Sequence, residues 1–381
     1  MDYNKLSLKA HKKYNGKLSI ESKMPFEDTD DLSIAYTPGV AAVCLEIKNH
    51  KEKARELTSS KKTVAVVSDG SAVLGLGNIG YNAAIPVMEG KAALFKKFGG
   101  VDAYPIVLAT QDAEEIIKTV KLIAPSFGGI NLEDISAPRC FEIEKRLQDE
   151  LDIPVFHDDQ HGTAIVVLAG LINALKIVKK KKEKIKIAML GAGAAGTAIA
   201  KLLCRYGVKN IIMSDSKGII SRSRTDLNES KKELASFTNN DNISGSISDA
   251  IGGADVFIGV SAGNVITGEH IKSMNKNAIV FAMANPMPEI MPDIAKKAGA
   301  RIVATGRSDF PNQLNNVLVF PGIFKGAIAG NIKKITEKMK INAAVALANT
   351  VKKLSEEKII PSPFDKKAAN AVAKAVLTYL N

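Results

Sequence analysis

The sequence predicts an α/β fold in two parts: an N-terminal mixed α/β domain, then a doubly wound, Rossmann-type domain that ends in a helical segment. Three observations carry this reading. The 381 residues exceed one ordinary domain and suit two of roughly 150 to 200 residues, each able to bury its own core. From about residue 185 onward, short apolar strand-like runs alternate with helical stretches, the pattern of a parallel sheet covered on both faces. The apolar run at 185–190 leads directly into Gly191-Ala192-Gly193-Ala194-Ala195-Gly196, a strand delivering the chain to a glycine turn.

In the first part, residues 61–68 read as a buried strand and 83–98 as a helix stopped by Gly99-Gly100. Residues 103–109 form a second strand and 153–156 another. The apolar stretch 162–178 reads as a long helix that bridges the domains, which places the boundary near 160, with domains 1–160 and 161–381. Beyond it come strand 185–190, helix 197–206, strand 210–214, helix 229–237, and strands near 256–260, 278–281 and 301–304. The last 45 or so residues read as helical, and Ser362-Pro363-Phe364-Asp365 has the form of a capping box with proline in the first turn.

Apolar residues make up 46% and charged residues 24%, an ordinary globular composition. No apolar stretch approaches the roughly 18 residues that cross a bilayer, so no membrane partner is expected. The start, Met1-Asp2-Tyr3-Asn4-Lys5-Leu6, has an early acid and no apolar segment, which suits a cytoplasmic protein rather than a secreted or imported one. Cys44, Cys140 and Cys204 are far apart and odd in number, so buried, reduced thiols are expected instead of disulfides or a thiolate metal site. The net charge of +12 is spread along the chain, mostly on lysine and without interleaved aromatics. It points to attraction for small anions and not to nucleic acid. Lys179 to Lys182, with Lys184 and Lys186, read as a charged helix end, since lysines suit the negative end of the helix dipole.

Two stretches match G-x-G-x-x-G: Gly75 to Gly80 and Gly191 to Gly196. The fingerprint works when a strand abuts the first glycine, the second lets backbone approach a pyrophosphate, and a helix N-terminus points its N–H groups at the phosphate. Only the second copy abuts its strand; the first reads as a loop where backbones pack closely. Asp215, just after the next strand, is placed to accept from a ribose 2′-hydroxyl, which favours NAD. Lys217, Arg222 and Arg224 follow closely and could take a 2′-phosphate, so NADP stays open.

Glu133-Asp134 and Asp159 have the makings of a hard-metal site, because Mg²⁺ and Mn²⁺ take oxygen ligands and leave positions for a chelating substrate. His157 and His161 raise zinc, but the excess of acids and absence of thiolates favour Mg²⁺ or Mn²⁺. By themselves Glu133-Asp134 also suit the cap and first turn of a helix near 140–151. Lys91 by itself reads as an exposed helix lysine and Tyr36 as a core aromatic with its hydroxyl at the rim.

The series Ala35-Tyr36-Thr37-Pro38-Gly39-Val40, Ser68-Asp69-Gly70 with Gly75-Leu76-Gly77, Met88-Glu89-Gly90-Lys91, Asn131-Leu132-Glu133-Asp134, Phe156-His157-Asp158-Asp159-Gln160-His161-Gly162-Thr163, Asn285-Pro286-Met287-Pro288-Glu289 and Asn315-Asn316-Val317 resembles the malic enzymes, specifically their short microbial form. The match runs in order from about residue 30 to the C-terminal region. It implies oxidative decarboxylation of L-malate to pyruvate and CO₂ with a nicotinamide cofactor and Mg²⁺ or Mn²⁺. By motif, Glu133, Asp134 and Asp159 would bind metal with Asp158 in support. Lys91 would take the C2 hydroxyl proton and Tyr36 would protonate C3. Asn285 and Asn316, with Asn315 beside the latter, would hold substrate, and Asn285 would also meet the cofactor bound by Gly191, Gly193, Ala194, Ala195, Gly196 and Asp215.

Under this resemblance Lys91 should be lowered toward neutrality by burial and a nearby cation, and a homodimer or dimer of dimers is implied. Ser71-Ala72 stand where longer animal-type forms carry a carboxylate-binding arginine, and no C-terminal acyltransferase-like domain is expected. Two other readings stay open: a non-decarboxylating dehydrogenase of similar architecture, and a catalytically silent nucleotide-binding protein.

Overall fold

The computed structural model describes residues 2–73 and 75–378. Strands β1 (Thr63–Ser68), β2 (Asp102–Val107), β3 (Gly129–Leu132) and β4 (Val155–His157) form a parallel sheet in the order β2-β1-β3-β4. A six-stranded sheet follows, built from β5 (Lys186–Leu190), β6 (Asn210–Asp215), β7 (Gly218–Ile219), β8 (Val256–Gly259), β9 (Ala278–Ala282) and β10 (Ala300–Thr305). Its order is β10-β9-β8-β5-β6-β7, parallel except for the β6–β7 hairpin. The central strands β1, β5, β8 and β9 are almost wholly buried, as expected of Val- and Ile-rich runs with helices on both faces, whereas the edge strand β2 is only half-buried.

Each sheet has a topological switch point, between β1 and β3 in the first and between β5 and β8 in the second. In such sheets ligands bind outside the carboxyl ends of the strands at that point. Asp69, Glu133-Asp134 and Asp158-Asp159 follow the ends of β1, β3 and β4, and Gly191 and Val260 follow the ends of β5 and β8.

The helix Asp158–Val178 lies between the two sheets, buried along most of its length, and packs on the helices Ala194–Tyr206 and Glu337–Ala348. It starts at Asp158 and not at 162 as the apolar pattern suggested, because its first turn is polar. It also corrects the membrane reading: by length and a mean hydropathy of 1.7 it could span a bilayer, but 78% of that window is buried inside the protein. The expected helix 83–98 is the helix Gly80–Leu94 continued by a π-helical turn, Phe95–Gly99, and closed by Gly100 at a φ of 66°. Helix 197–206 begins earlier, at Ala194.

The C-terminal region is two helices, Glu337–Ala348 and Lys366–Leu377, separated by a loop, and expectations for 379–381 lie outside the described residues. The proposed capping box is different: Asp365 is the cap and accepts from Lys367 N at 2.9 Å, while Ser362 Oγ accepts only from Phe364 N. The helix Phe320–Ala329 returns to the first sheet's side, where Phe320 packs on Phe95 with ring centroids 4.6 Å apart. Lys179 ends the core helix in a left-handed cap, as the charged-helix-end reading requires. Of the cysteines, Cys140 is buried, Cys204 is half-buried, and Cys44 is exposed, against expectation.

Candidate active site and nucleotide crevice

The acidic cluster forms because the ends of β3 and β4 converge. β3 leaves its sheet with Glu133 N donating to Val67 O, and Asp134 then adopts a left-handed φ of 53° that turns it back toward Asp159. Asp134 N donates to Asp159 Oδ2 at 2.7 Å. One carboxylate oxygen from each of Glu133, Asp134 and Asp159 lies within 4.8 Å of the others. The helix near 140–151 does not use the acid pair as its cap; it spans Arg139–Glu150 with Pro138 at that position.

Lys91, from the helix Gly80–Leu94, enters this cluster. It is 7% exposed, so it is no surface lysine, and its Nζ lies 2.7 Å from Glu133 Oε1 and 2.6 Å from Asp158 Oδ2. The Phe320 ring sits 4.3 Å below the ammonium. Asn131 Nδ2 donates to Glu133 Oε2 at 2.9 Å. Asp158 curls over the first turn of its own helix: a Cβ on Gly162 would lie 1.8 Å from Asp158 Oδ1 and 3.1 Å from Asn316 Cβ. Glycine at 162 is therefore a steric requirement, and Asn316 is beside Asp158.

Four carboxylates around one ammonium leave excess negative charge in a largely buried site. Burial, the largest cause in each case, pushes Glu133 and Asp158 up to about 7, Asp134 to about 9 and Asp159 to about 6. Burial also acts to lower Lys91, but attraction by Asp158, Glu133 and Asp159 outweighs it and raises the ammonium above the ordinary lysine value. The expected lowering of Lys91 therefore requires the positive charge of a divalent ion in the cluster. Asp134 Oδ2 and Asp158 Oδ1 are buried with no hydrogen-bond partner among the described residues. An all-oxygen cluster with orphaned anionic atoms fits a hard divalent cation, whose charge would satisfy them.

The second switch point carries a cavity of about 840 Å³ lined by Gly191, Gly193, Asp215, Lys231 and Ser261, with Pro138 and Phe141 from the first half. A Cβ on Gly191 would lie 2.5 Å from Val260 O, and one on Gly196 would lie 1.9 Å from Gly191 O; at Gly193 nothing lies within 4 Å. Gly191 and Gly196 thus permit the tight turn and its packing, while Gly193 leaves open space next to the N-terminus of the helix Ala194–Tyr206, where a pyrophosphate fits. Asp215 is ion-paired to Arg224 at 2.8 Å and Lys231 at 2.6 Å and accepts from Lys217 N. Burial opposes its charge, but these partners hold its carboxyl below the ordinary range. Lys217 Nζ pairs with Asp226, and Arg222 turns to Asn240 O.

The earlier glycine stretch behaves as a packing loop. A Cβ on Gly75, at a φ of 75°, would lie 2.4 Å from Asn285 O, so the first half touches the second there. Asn285, in a cis bond to Pro286, stands next to Gly306. Asn315 spends its side chain on Val317 N at 2.9 Å. Tyr36 is not a core aromatic; its 65% exposure puts it on an open N-terminal arm. Lys231 and Glu144 carry no motif in the sequence, while Asn131, Gly162 and Glu289 lie within the motif series without a role that the sequence assigns. Buried Glu289 accepts from Ser261 N at 2.8 Å and Ala284 N at 3.0 Å, tying together the loops after β8 and β9.

The glycine turn at the switch point defines the class, a Rossmann-type dinucleotide-binding protein. Residues 15–148 match the N-terminal domain of malic enzyme, and residues 160–380 match the malic enzyme NAD-binding domain. The chain belongs to the malic enzyme family. It is 60% identical over 364 residues to an NAD-dependent malic enzyme of Geobacillus stearothermophilus, covering 95% of this chain and 76% of the relative. It is 56% identical to a bifunctional malic/malolactic enzyme of Bacillus subtilis, covering 99% and 92%. The crystal structure of an NAD-dependent malic enzyme from Thermotoga maritima superposes with a TM-score of 0.94 at 51% identity, covering 97% and 98%.

Proposed function

We propose that this chain oxidatively decarboxylates L-malate to pyruvate and CO₂ with reduction of NAD(P)⁺, and that Lys91 and the acidic cluster are its reaction centre. The observation that carries this reading is Lys91 held between Glu133 and Asp158 beside an oxygen triad suited to a divalent cation. Glu133, Asp134 and Asp159 would hold Mg²⁺ or Mn²⁺, with Asp158 anchoring Lys91. When bound, the nicotinamide supplies a hydride acceptor at C2, and the divalent ion supplies positive charge that stabilises the enolate and offsets the field holding Lys91 protonated. Lys91 takes the C2 hydroxyl proton, Tyr36 gives a proton to C3, and Asn316 and Asn285 orient the substrate, with Asn315 fixing the turn that carries Asn316. A dehydrogenase that only transferred hydride would have no use for the triad, in which Glu133 and Asp134 are buried and Asp159 half-buried.

NAD is the preferred cofactor in this reading, since a half-buried, ionised Asp215 accepts from a ribose hydroxyl and repels a 2′-phosphate. The domains divide near residue 160. Free thiols, one of them exposed, suit the reducing cytoplasm. The chain acts as a homodimer: the helices Tyr3–Tyr14, Thr29–Ala35 and Val40–Asn49 bury no residue within one copy and expose Leu32, Ile34, Val43 and Leu45. Covering that arm with a second copy also encloses Tyr36. Turnover by a Lys91→Ala variant tests the reaction centre: it should be lost while NADH still binds, and retained turnover would remove Lys91 from the chemistry.

A further inference from the structure

Glu144 is a buried carboxylate, 5% exposed, on the helix Arg139–Glu150 and outside the acidic cluster. Its Oε1 accepts from His157 N at 2.9 Å, and its Oε2 accepts from Gln160 Nε2 at 3.1 Å and meets His161 Nε2 at 2.9 Å. Those three donors bracket Asp158 and Asp159. A fourth, Gln148 Nε2, donates to Glu144 Oε1 and is shared with Val155 O at the start of β4. The ring of His161 is set by Lys340, whose ammonium lies 2.9 Å from Nδ1; Nδ1 is thus the acceptor and Nε2–H the donor to Glu144. Lys340 is in turn paired with Glu337 at 2.8 Å.

The core helix has no side-chain cap of its own at His157. Glu144 supplies that function from another helix: its charge faces the positive end of the helix and its oxygens satisfy the N–H of His157. Asp158 and Asp159 sit in that same turn, so the orientation of its peptides sets where their oxygens go.

We propose that Glu144 is the positioning residue of the metal-binding turn, fixing Asp158 and Asp159 through His157 N, Gln160 and His161. The inference rests on the metal reading of Glu133, Asp134 and Asp159. Outer partners that orient ligands typically account for 10- to 100-fold in metal affinity. Glu144→Gln keeps the size of the side chain but turns one acceptor into a donor facing donors; Glu144→Ala removes both.

The test is Mn²⁺ binding to the full chain followed by electron paramagnetic resonance, with NADH binding followed by fluorescence and Asp159→Ala as a control. The expected result is Mn²⁺ affinity weakened about 10-fold or more in Glu144→Gln, and further in Glu144→Ala, with NADH affinity within about twofold of the parent. If Glu144→Ala does not fold, Glu144→Gln decides. Parent-like Mn²⁺ affinity in the Glu144 variants, with binding abolished in Asp159→Ala, would overturn the inference and leave the metal site standing. Equal losses of Mn²⁺ and NADH affinity would overturn it too, as general damage. Parent-like Mn²⁺ binding by Asp159→Ala would instead bring down the metal reading, and the inference with it.

Discussion

Asp158 occupies the space a side chain at Gly162 would fill: a Cβ there would stand 1.8 Å from Asp158 Oδ1. The close approach lets Asp158 lie over the first helical turn and reach Lys91 at 2.6 Å. Alanine favours a helix over glycine by roughly 1 kcal/mol, so Gly162→Ala should help the helix and harm the site. The expected outcome is at least a 100-fold fall in kcat/KM, about what an ångström of misplacement costs, with NADH binding retained. Parent-like steady-state kinetics would show that Asp158 need not hold this position.

Among the described residues, Lys91 is the ammonium within ion-pair distance of both Glu133 and Asp158. Removing one partner of a buried pair typically costs roughly 3 to 5 kcal/mol, although these carboxyls can protonate and so recover part of it. Lys91→Met should lower the melting temperature in chelator, regain part of the loss in Mg²⁺, and reduce turnover by at least about 100-fold, the lower range for a general base. Calorimetry with and without Mg²⁺ checks the first two. Turnover near the parent level would contradict the third.

The raised carboxyls set a pH dependence whose sign is definite. Their folded values, about 6 to 9, lie above unfolded values of about 4. The stability they contribute in neutral form is complete below the unfolded values and is lost as pH rises through the folded ones. Metal-free protein should therefore weaken from about pH 4 to about pH 9, most steeply below about pH 6, and the rise in melting temperature on adding Mg²⁺, which binds the ionised cluster, should grow as pH passes through the folded values. A Mg²⁺-induced rise that is flat or shrinks with pH runs against this assignment.

Asp215 restrains Arg224 and Lys231. Asp215→Ser would remove the carboxylate and release two cations next to the ribose site. The ratio of kcat/KM for NAD to that for NADP should move toward NADP by about tenfold or more, since guanidinium and ammonium groups both hold phosphate well. An unchanged ratio would take Asp215 out of cofactor selection.

The parts of the fold set by local pattern were legible. The strand before Gly191 and the alternation after it follow from apolar runs and turn residues, and the open space at Gly193 is what the fingerprint demands. Element starts were harder, because the first turn of the core helix, Asp158 to His161, is polar and lacks the apolar periodicity that marks the rest. Glu144, Lys231 and Phe320 left no signal, since each reaches its site from a distant helix. The raised state of Lys91 depends on three carboxylates meeting in space, and the exposure of Tyr36 on what is left unburied by one copy. Neither is a property of spacing.

The most direct test of the central claim is to follow nicotinamide reduction by absorbance with L-malate, Mn²⁺ and either NAD or NADP, with pyruvate and CO₂ measured in the same reaction and the whole repeated in chelator. Equal amounts of pyruvate, CO₂ and reduced cofactor, abolished by chelator and greater with NAD, are expected. Reduced cofactor formed without CO₂, or turnover that ignores chelator, would contradict the account.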